Sequence, residues 1–227
     1  DIPREGRRAI FEAKISTLAK LHNADYGAIG LGDFGKPGNY FSRQISRWTK
    51  QYQMSETQSI DTMNKLIDWL PGNIPDDDAN SIVHGDFRLD NMVLHADKPE
   101  VLAVLDWELS TLGHPLGDFT YHLMQWFMPS EGASTQTLEG VDFDALNIPD
   151  TAEYTRLYCE HTERDSIENM DFYIAYNMFR LAGILQGIVG RVRDGTASNE
   201  HAALMEDRVN PLSDVGWFYA QKAGAVG

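Results

Sequence analysis

Between residue 81 and residue 106 the chain carries three short apolar runs, and their spacing limits what it can fold into. Ser81-Ile82-Val83-His84, Asn91-Met92-Val93-Leu94-His95 and Val101-Leu102-Ala103-Val104-Leu105 each have the length of a short buried strand. Ala96-Asp97-Lys98-Pro99 reads as the turn between the last two. The connection between the first two is His84-Gly85-Asp86-Phe87-Arg88-Leu89-Asp90-Asn91, and the third run ends in Asp106-Trp107-Glu108. If the last two strands pair as a hairpin, Asn91 and Asp106 meet at one edge and face the loop that carries Asp86.

One carboxylate on a loop, an amide five residues later and a second carboxylate at the next strand end suit phosphoryl transfer from Mg-ATP. That reaction needs little covalent help: metal must be held against the phosphates and a hydroxyl must be oriented. Magnesium takes oxygen ligands and keeps several waters, so one Asn and one Asp suffice beside the phosphates. Asn91 and Asp106 fit that role, as ligands of the metal and through it of the nucleotide. Asp86 is the candidate base for the acceptor hydroxyl. The bland alternatives are a turn carboxylate at Asp86 and Asx turns at Asn91 and Asp106, and none of these predicts the three together.

The run HGDFRLDN resembles the HGDxxxxN loop of the aminoglycoside phosphotransferase and choline kinase group, relatives of the protein kinases, and VLDWE resembles that group's metal-binding segment. The protein-kinase loop HRDxxxxN has the same Asp-to-Asn interval. The resemblance implies Asp86 as catalytic base and Asn91 and Asp106 as magnesium ligands. It also implies a phosphate contact for Arg88, which stands where protein kinases carry a Lys. Tyr40 to Trp48, Ser110 to Asp118, Leu18 to His22 and Gly30 to Gly35 look like a narrower subgroup, the kinase-like domains found alone in bacteria or fused to acyl-CoA dehydrogenases in animals. Coverage runs from about residue 4 to the end. A complete member begins with a small β-rich lobe that covers ATP, and no segment here resembles it. Gly27 to Gly35 is glycine-rich but follows a helical stretch, so it lacks the strand context of a nucleotide loop. The chain is therefore expected to be the C-terminal lobe of a larger phosphotransferase, α+β and mainly α, a helical bundle with a small β-hairpin unit carrying the catalytic and metal-binding loops.

Apolar residues recur at helical spacing from Arg4 to about Asn23, Tyr40 to about Tyr52, Thr57 to Leu70, Phe119 to Phe127 and Thr151 to Glu163. Asp171 to Val192 is apolar nearly all round and reads as a central buried helix. Ala197 to Ala223 completes the bundle, with a break expected near Pro211. Pro129 to Pro149 is polar and acidic and reads as a surface excursion. With 227 residues, one compact unit is the default.

A formal net charge of -15 disfavours nucleic acid and anionic membrane surfaces as partners. No apolar run approaches the roughly 20 residues of a membrane span. The single Cys159 has no disulfide partner in the chain and reads as a buried, inert thiol, in keeping with a reducing compartment such as the cytoplasm. No Gly-x-Ser-x-Gly run is present, which removes the α/β-hydrolase class. Asp118 is expected to cap a helix and support the catalytic loop, and His84 to anchor that loop. His22, His114 and His122 read as core or loop histidines. Glu108 divides evenly between metal support and packing, and Asp90 reads as a loop-stabilising carboxylate. Trp126 is a candidate for the wall of the acceptor cleft. Arg43, Arg47 and Lys50 share a helical face that can attract an anionic substrate such as a CoA phosphate, against the bland reading of solvated salt bridges.

These features lead to an ATP- and Mg2+-dependent kinase acting on a hydroxyl of a small molecule, for which the subgroup resemblance implies a hydroxyacyl-CoA. The alternatives are an aminoglycoside, choline or sugar kinase of the same fold, and a non-catalytic binding module. Oligomeric state is left open.

Overall fold

The computed structural model describes residues 2–130, 137–196 and 205–226. Among the described residues are eight α-helices and four short strands, and the strands fall within the stretch from Ser81 to Gly113. Where length suggested one compact unit, the chain divides into two that interleave in sequence. Unit 1 comprises Asp1–Gly38, Asp78–Trp126 and Gly140–Glu168, and unit 2 comprises Asn39–Asp77, Phe127–Glu139 and Asn169–Gly227.

Unit 1 is built on α1 (Arg4–His22), which packs on α6 (Thr151–His161) and against β1 (Ser81–Val83). Helix α1 buries Ile10, Lys14, Ile15, Leu18 and His22, a set spaced to form one face. The core below it is aromatic: Phe119 stacks on Tyr158 at 4.1 Å between centroids, and Trp126 stacks on Tyr154 at 5.0 Å. Helix α6 starts where Asp150 Oδ1 accepts from the Glu153 amide. Cys159 is free and buried on it, and burial pushes its thiol up, away from nucleophilic use.

The strands form two antiparallel pairs. β2 (Met92–Leu94) and β3 (Val101–Val104) make the expected hairpin, with Met92 opposite Val104 and an irregularity between Val93 and Leu94. β1 pairs with β4 (Thr111–Gly113), Ile82 opposite Leu112. β4 is not expected from its sequence, because Thr-Leu-Gly is too short and too weakly apolar to stand out. It forms because β1 needs a partner for its buried backbone groups. Gly35 lets the preceding loop reach this strand: a Cβ there would stand 2.5 Å from the Leu112 amide nitrogen.

Unit 2 packs α2 (Tyr40–Ser55), α3 (Asp61–Trp69) and α8 (Glu206–Lys222) around α7 (Met170–Arg193), which buries side chains along most of its length as its composition predicts. Phe41 meets Phe172, Tyr173 and Tyr176 edge-on or tilted at 5.0 to 5.7 Å. Gly216 on α8 faces Leu66 and Met178, which would stand 3.0 and 3.2 Å from a Cβ, so the helices close tightly there.

Several expected boundaries move. The third helix begins at Asp61 and not at Thr57, because Ile60 is extended. The helix after β4 is α4 (Pro115–Leu123), started by Pro115 at its first position and followed by a 3-10 turn over Met124–Trp126. The excursion from Pro129 to Pro149 contains a short helix, α5 (Phe143–Leu146), capped by Asp142, while residues 131–136 lie outside the described residues. No break occurs at Pro211: α8 runs through it, because burial of Val209, Leu212, Gly216 and Trp217 outweighs one missing backbone hydrogen bond. Residues 197–204 of that expected helix lie outside the described residues. Among the described residues no helix is long and apolar enough to cross a membrane.

Candidate active site

The loop between β1 and β2 is shaped by its glycine and by one buried acid. Gly85 has φ +84°, and a Cβ there would lie 2.9 Å from the Leu109 carbonyl oxygen, so both the turn and the close approach require glycine. Asp118 Oδ2 accepts from the His84 amide at 2.7 Å and Oδ1 from the Gly85 amide at 2.8 Å. Its Oδ2 also lies 3.3 Å from His22 Nε2, and His22 Nδ1 is 2.7 Å from the Tyr158 hydroxyl. Burial alone would raise the Asp118 carboxyl, but the hydrogen bond and charge of His22 with the two amides outweigh it and hold the group below its ordinary value. Asp118 thus supports the loop, as its sequence suggests, yet it does not cap α4; that cap is His114, whose Nδ1 accepts from the Leu116 amide at 3.2 Å.

His84 fixes the other side of the loop. Its ring is buried, with Nε2 2.9 Å from the Leu105 carbonyl oxygen and Nδ1 3.2 Å from the Asp86 amide. A carbonyl only accepts and an amide only donates, so the partners select the neutral ring protonated on Nε2. The histidine is an anchor that ties the loop to the end of β3.

Asp86 projects from this frame with a side chain 21 % exposed. The Tyr121 hydroxyl donates to its Oδ1 at 3.0 Å and Asn91 Nδ2 to its Oδ2 at 3.0 Å. Asn91 Nδ2 also donates to the Asp86 carbonyl at 2.9 Å. Both amide protons of Asn91 are therefore committed to acceptors. Its Oδ1 has no donor among the described residues. Arg88 Nε lies 3.7 Å from Asp86 Oδ2 and 3.6 Å from Asp90 Oδ2, beyond hydrogen-bond range but close enough for charge attraction. Asp90 is thereby tied to the loop as a stabilising carboxylate.

The hairpin delivers the second carboxylate. The Leu105 amide donates to the Asn91 carbonyl at 2.8 Å, which places Asp106 one residue beyond that link. Asp106 is exposed and left-handed, with φ 64° and ψ 59°, a conformation uncommon for a residue with a Cβ. No donor reaches its carboxylate among the described residues. Trp107 closes the corner by donating from Nε1 to the Val104 carbonyl at 2.8 Å and lying against the His84 ring. Glu108 is exposed on the same 3-10 turn.

The four residues picked from the sequence thus lie in unit 1, Asp86 in direct contact with Asn91, Arg88 within charge range, and Asp106 beside Asn91 across the hairpin. No group of three or more His, Cys, Asp or Glu is gathered as a metal cage among the described residues. An Asn carbonyl with an open carboxylate fits magnesium, which needs few protein oxygens. One reading is corrected, and two residues had not been singled out. Trp126 does not line a cleft: it is 5 % exposed and donates to the Pro149 carbonyl. Tyr121 was absent from the candidates, although its place three residues after Asp118 on α4 puts both side chains on the helix face that meets the loop. Lys14 was also unmarked. It is buried on α1, 5.0 Å from the Phe11 ring centroid, and burial, partly countered by the charge of Asp90, pulls its amine down from 10.5 to about 7.

Residues 2–154 match the model of the phosphotransferase enzyme family. The mouse acyl-CoA dehydrogenase family member 10 is 42 % identical over 218 residues, covering 96 % of this chain and 20 % of its own length. The chain thus spans about a fifth of that curated relative, and 27 % of the human acyl-CoA dehydrogenase family member 11, to which it is 40 % identical. Among solved structures, a Ralstonia eutropha protein assigned by name to the aminoglycoside phosphotransferases superposes with a TM-score of 0.92 at 53 % identity, covering 97 % of this chain and 67 % of that one.

Proposed function

Because the chain belongs to the phosphotransferase enzyme family, we propose that it carries the catalytic loop of a kinase that moves the γ-phosphate of ATP to a hydroxyl on a small molecule. The observation that carries this reading is the Asp86 carboxylate, held at one oxygen by Tyr121 and at the other by Asn91, beside an Asn91 Oδ1 and an Asp106 carboxylate that have no donors among the described residues. Both Asp86 oxygens keep a further lone pair, so the oriented carboxylate accepts the acceptor hydroxyl's proton as the hydroxyl oxygen bonds to the γ-phosphorus, whose bond to the bridging oxygen breaks and releases ADP. Asn91 and Asp106 would hold magnesium. When bound, that ion neutralises charge on the phosphate oxygens. Arg88, kept near the loop by Asp86 and Asp90, stands ready to contact the transferring group.

In this reading the 227 residues are the C-terminal lobe, and the lobe that covers adenine lies outside them. The acceptor is a hydroxyacyl-CoA or a related hydroxylated metabolite, and the compartment is the cytoplasm. The similarity to proteins named as acyl-CoA dehydrogenase family members supports that acceptor, and the name of the Ralstonia structure favours an aminoglycoside instead.

The test is ADP release by the full-length protein with Mg-ATP, comparing a 4-hydroxyacyl-CoA with an aminoglycoside, each repeated with Asp86→Asn. Removing a positioned base is expected to slow turnover by about 10²- to 10⁴-fold. Turnover on the acyl-CoA that the substitution abolishes supports the base and the acceptor together. Turnover on the aminoglycoside alone overturns the acceptor, and turnover that survives Asp86→Asn overturns the base.

A further inference from the structure

Although the chain has 34 acidic side chains against 19 Lys and Arg, one groove of unit 2 is basic. It lies between α2 and the C-terminal half of α7 and has a volume of about 780 Å³, within the range of small-ligand sites. Arg43, Arg47 and Lys50 come from α2, Arg191 and Arg193 from α7, and Asp194 is the one acid in the lining.

Two ordinary explanations account for only part of this set. Arg191 and Arg193 sit in the last turn of α7 and offset its dipole, but Arg43 and Arg47 lie in the first half of α2, toward the positive end. Salt bridges along α2 are also unavailable, because its sixteen residues contain no Asp or Glu. Among the described residues neither Lys50 nor Arg191 has a carboxylate within ion-pair distance. Arg193 is committed, donating to Asp194 and to the Glu56 carbonyl at 3.1 Å. Arg47 lies 5.2 Å from the centroid of the Trp48 ring.

Glycine makes the floor. A Cβ at Gly190 would stand 2.6 Å from Ser55 Cβ, and one at Gly187 would stand 2.8 Å from Gln51 Nε2. The α7 backbone therefore closes on α2, and the long cationic side chains rise on either side. Gathering Arg47, Lys50 and Arg191 in one groove costs free energy unless a counter-charge is present.

We propose that this groove binds a small ligand bearing two or more phosphate groups, with Arg47, Lys50 and Arg191 as its principal cations. With Arg193 offset by Asp194, Arg47, Lys50 and Arg191 leave a positive charge that a diphosphate or a bisphosphate ester matches, and guanidinium forks suit phosphate oxygens. A nucleic acid is disfavoured by the net charge of -15. The site does not depend on Asp86 chemistry.

The test is calorimetric titration of the full-length protein in EDTA with pyrophosphate, adenosine 3',5'-bisphosphate and coenzyme A, with sulfate as a single-anion control. Binding is expected in the sub-millimolar range, to weaken with salt, to fall at least tenfold in Lys50→Gln/Arg191→Gln and to persist in Asp86→Asn. Arg47→Gln gives an independent variant, expected to weaken binding severalfold, and thermal melts check folding of each. Tighter binding of the nucleotide ligands than of pyrophosphate identifies an organic carrier, and equal binding identifies the free anion; both uphold the site. No binding by any probe, binding no better than sulfate, binding that survives all the groove substitutions, or loss in Asp86→Asn overturns it.

Discussion

Replacing Lys14 by Met should stabilise the protein near neutral pH, and by an amount that depends on pH in a specified way. Lys14 is 1 % exposed, and burial holds its amine at about 7 in the folded chain against 10.5 when solvated. Between those values the unfolded chain binds more protons than the folded one, so wild-type stability rises with pH across the window. Below pH 7 the full cost of charging a buried amine is present: the interval from 10.5 to about 7, at 1.36 kcal/mol per decade, amounts to about 5 kcal/mol. Methionine has nearly the same length and no charge, so it removes that cost. It forfeits the cation-π contact with Phe11, worth about 1 to 2 kcal/mol in a desolvated setting. The net gain is therefore about 3 kcal/mol at pH 6, shrinking to zero or slightly below by pH 10.5. Urea denaturation of wild type and Lys14→Met at intervals from pH 6 to pH 10.5 measures it, because other titrating groups cancel in the difference. A variant less stable than wild type by the same amount at every pH would refute the reasoning, since it would mean that Lys14 is charged and well paired in the fold.

Tyr121→Phe removes the donor to Asp86 Oδ1 and leaves Asn91 on Oδ2, so kcat should fall about tenfold, the order of one hydrogen bond to a charged group, with little change in the KM for ATP. Steady-state kinetics on whichever acceptor turns over checks it, and an unchanged kcat would remove Tyr121 from the positioning of the base. Gly85→Ala forces a side chain into φ +84° against the Leu109 carbonyl and should cost about 2 to 3 kcal/mol, read from denaturation midpoints. Asp118→Asn should destabilise the protein by about 3 to 5 kcal/mol at neutral pH, because it breaks a buried pair. Since the folded carboxyl is depressed, its stabilisation is present above the ordinary value of 3.8 and is lost as pH falls through the folded value. The difference between Asp118→Asn and wild type should therefore narrow only in acid, and a difference that stays constant down to pH 2 would contradict the assignment.

The fold class and the core of the candidate site were legible because the signals are local. Three apolar runs with the right lengths and turns gave β1, β2 and β3, and pairing β2 with β3 brings Asn91 to Asp106 with no further information. Helical periodicity located α1, α2, α6 and α7 to within a few residues, since each buries one face or, for α7, nearly all of its surface. Pro211 misled because a local rule about proline gave way to packing along the whole of α8.

What tertiary structure alone decided involves residues far apart in the chain. That Asp118 supports the catalytic loop is readable in the sequence, but the link from Tyr158 through His22 to Asp118 and on to the amides of His84 and Gly85 joins four separate stretches, and His22 taken singly resembles an ordinary core histidine. Lys14 looks in sequence like a solvated lysine on an amphipathic helix, and only the packing around it removes the water that would keep its amine near 10.5. The basic face of α2 was readable as a helical spacing, but the groove exists because Gly187 and Gly190 bring α7 against it. Periodicity specifies which face a residue occupies; desolvation and opposing charge, which set what that residue can do, arise only when the other elements close over it.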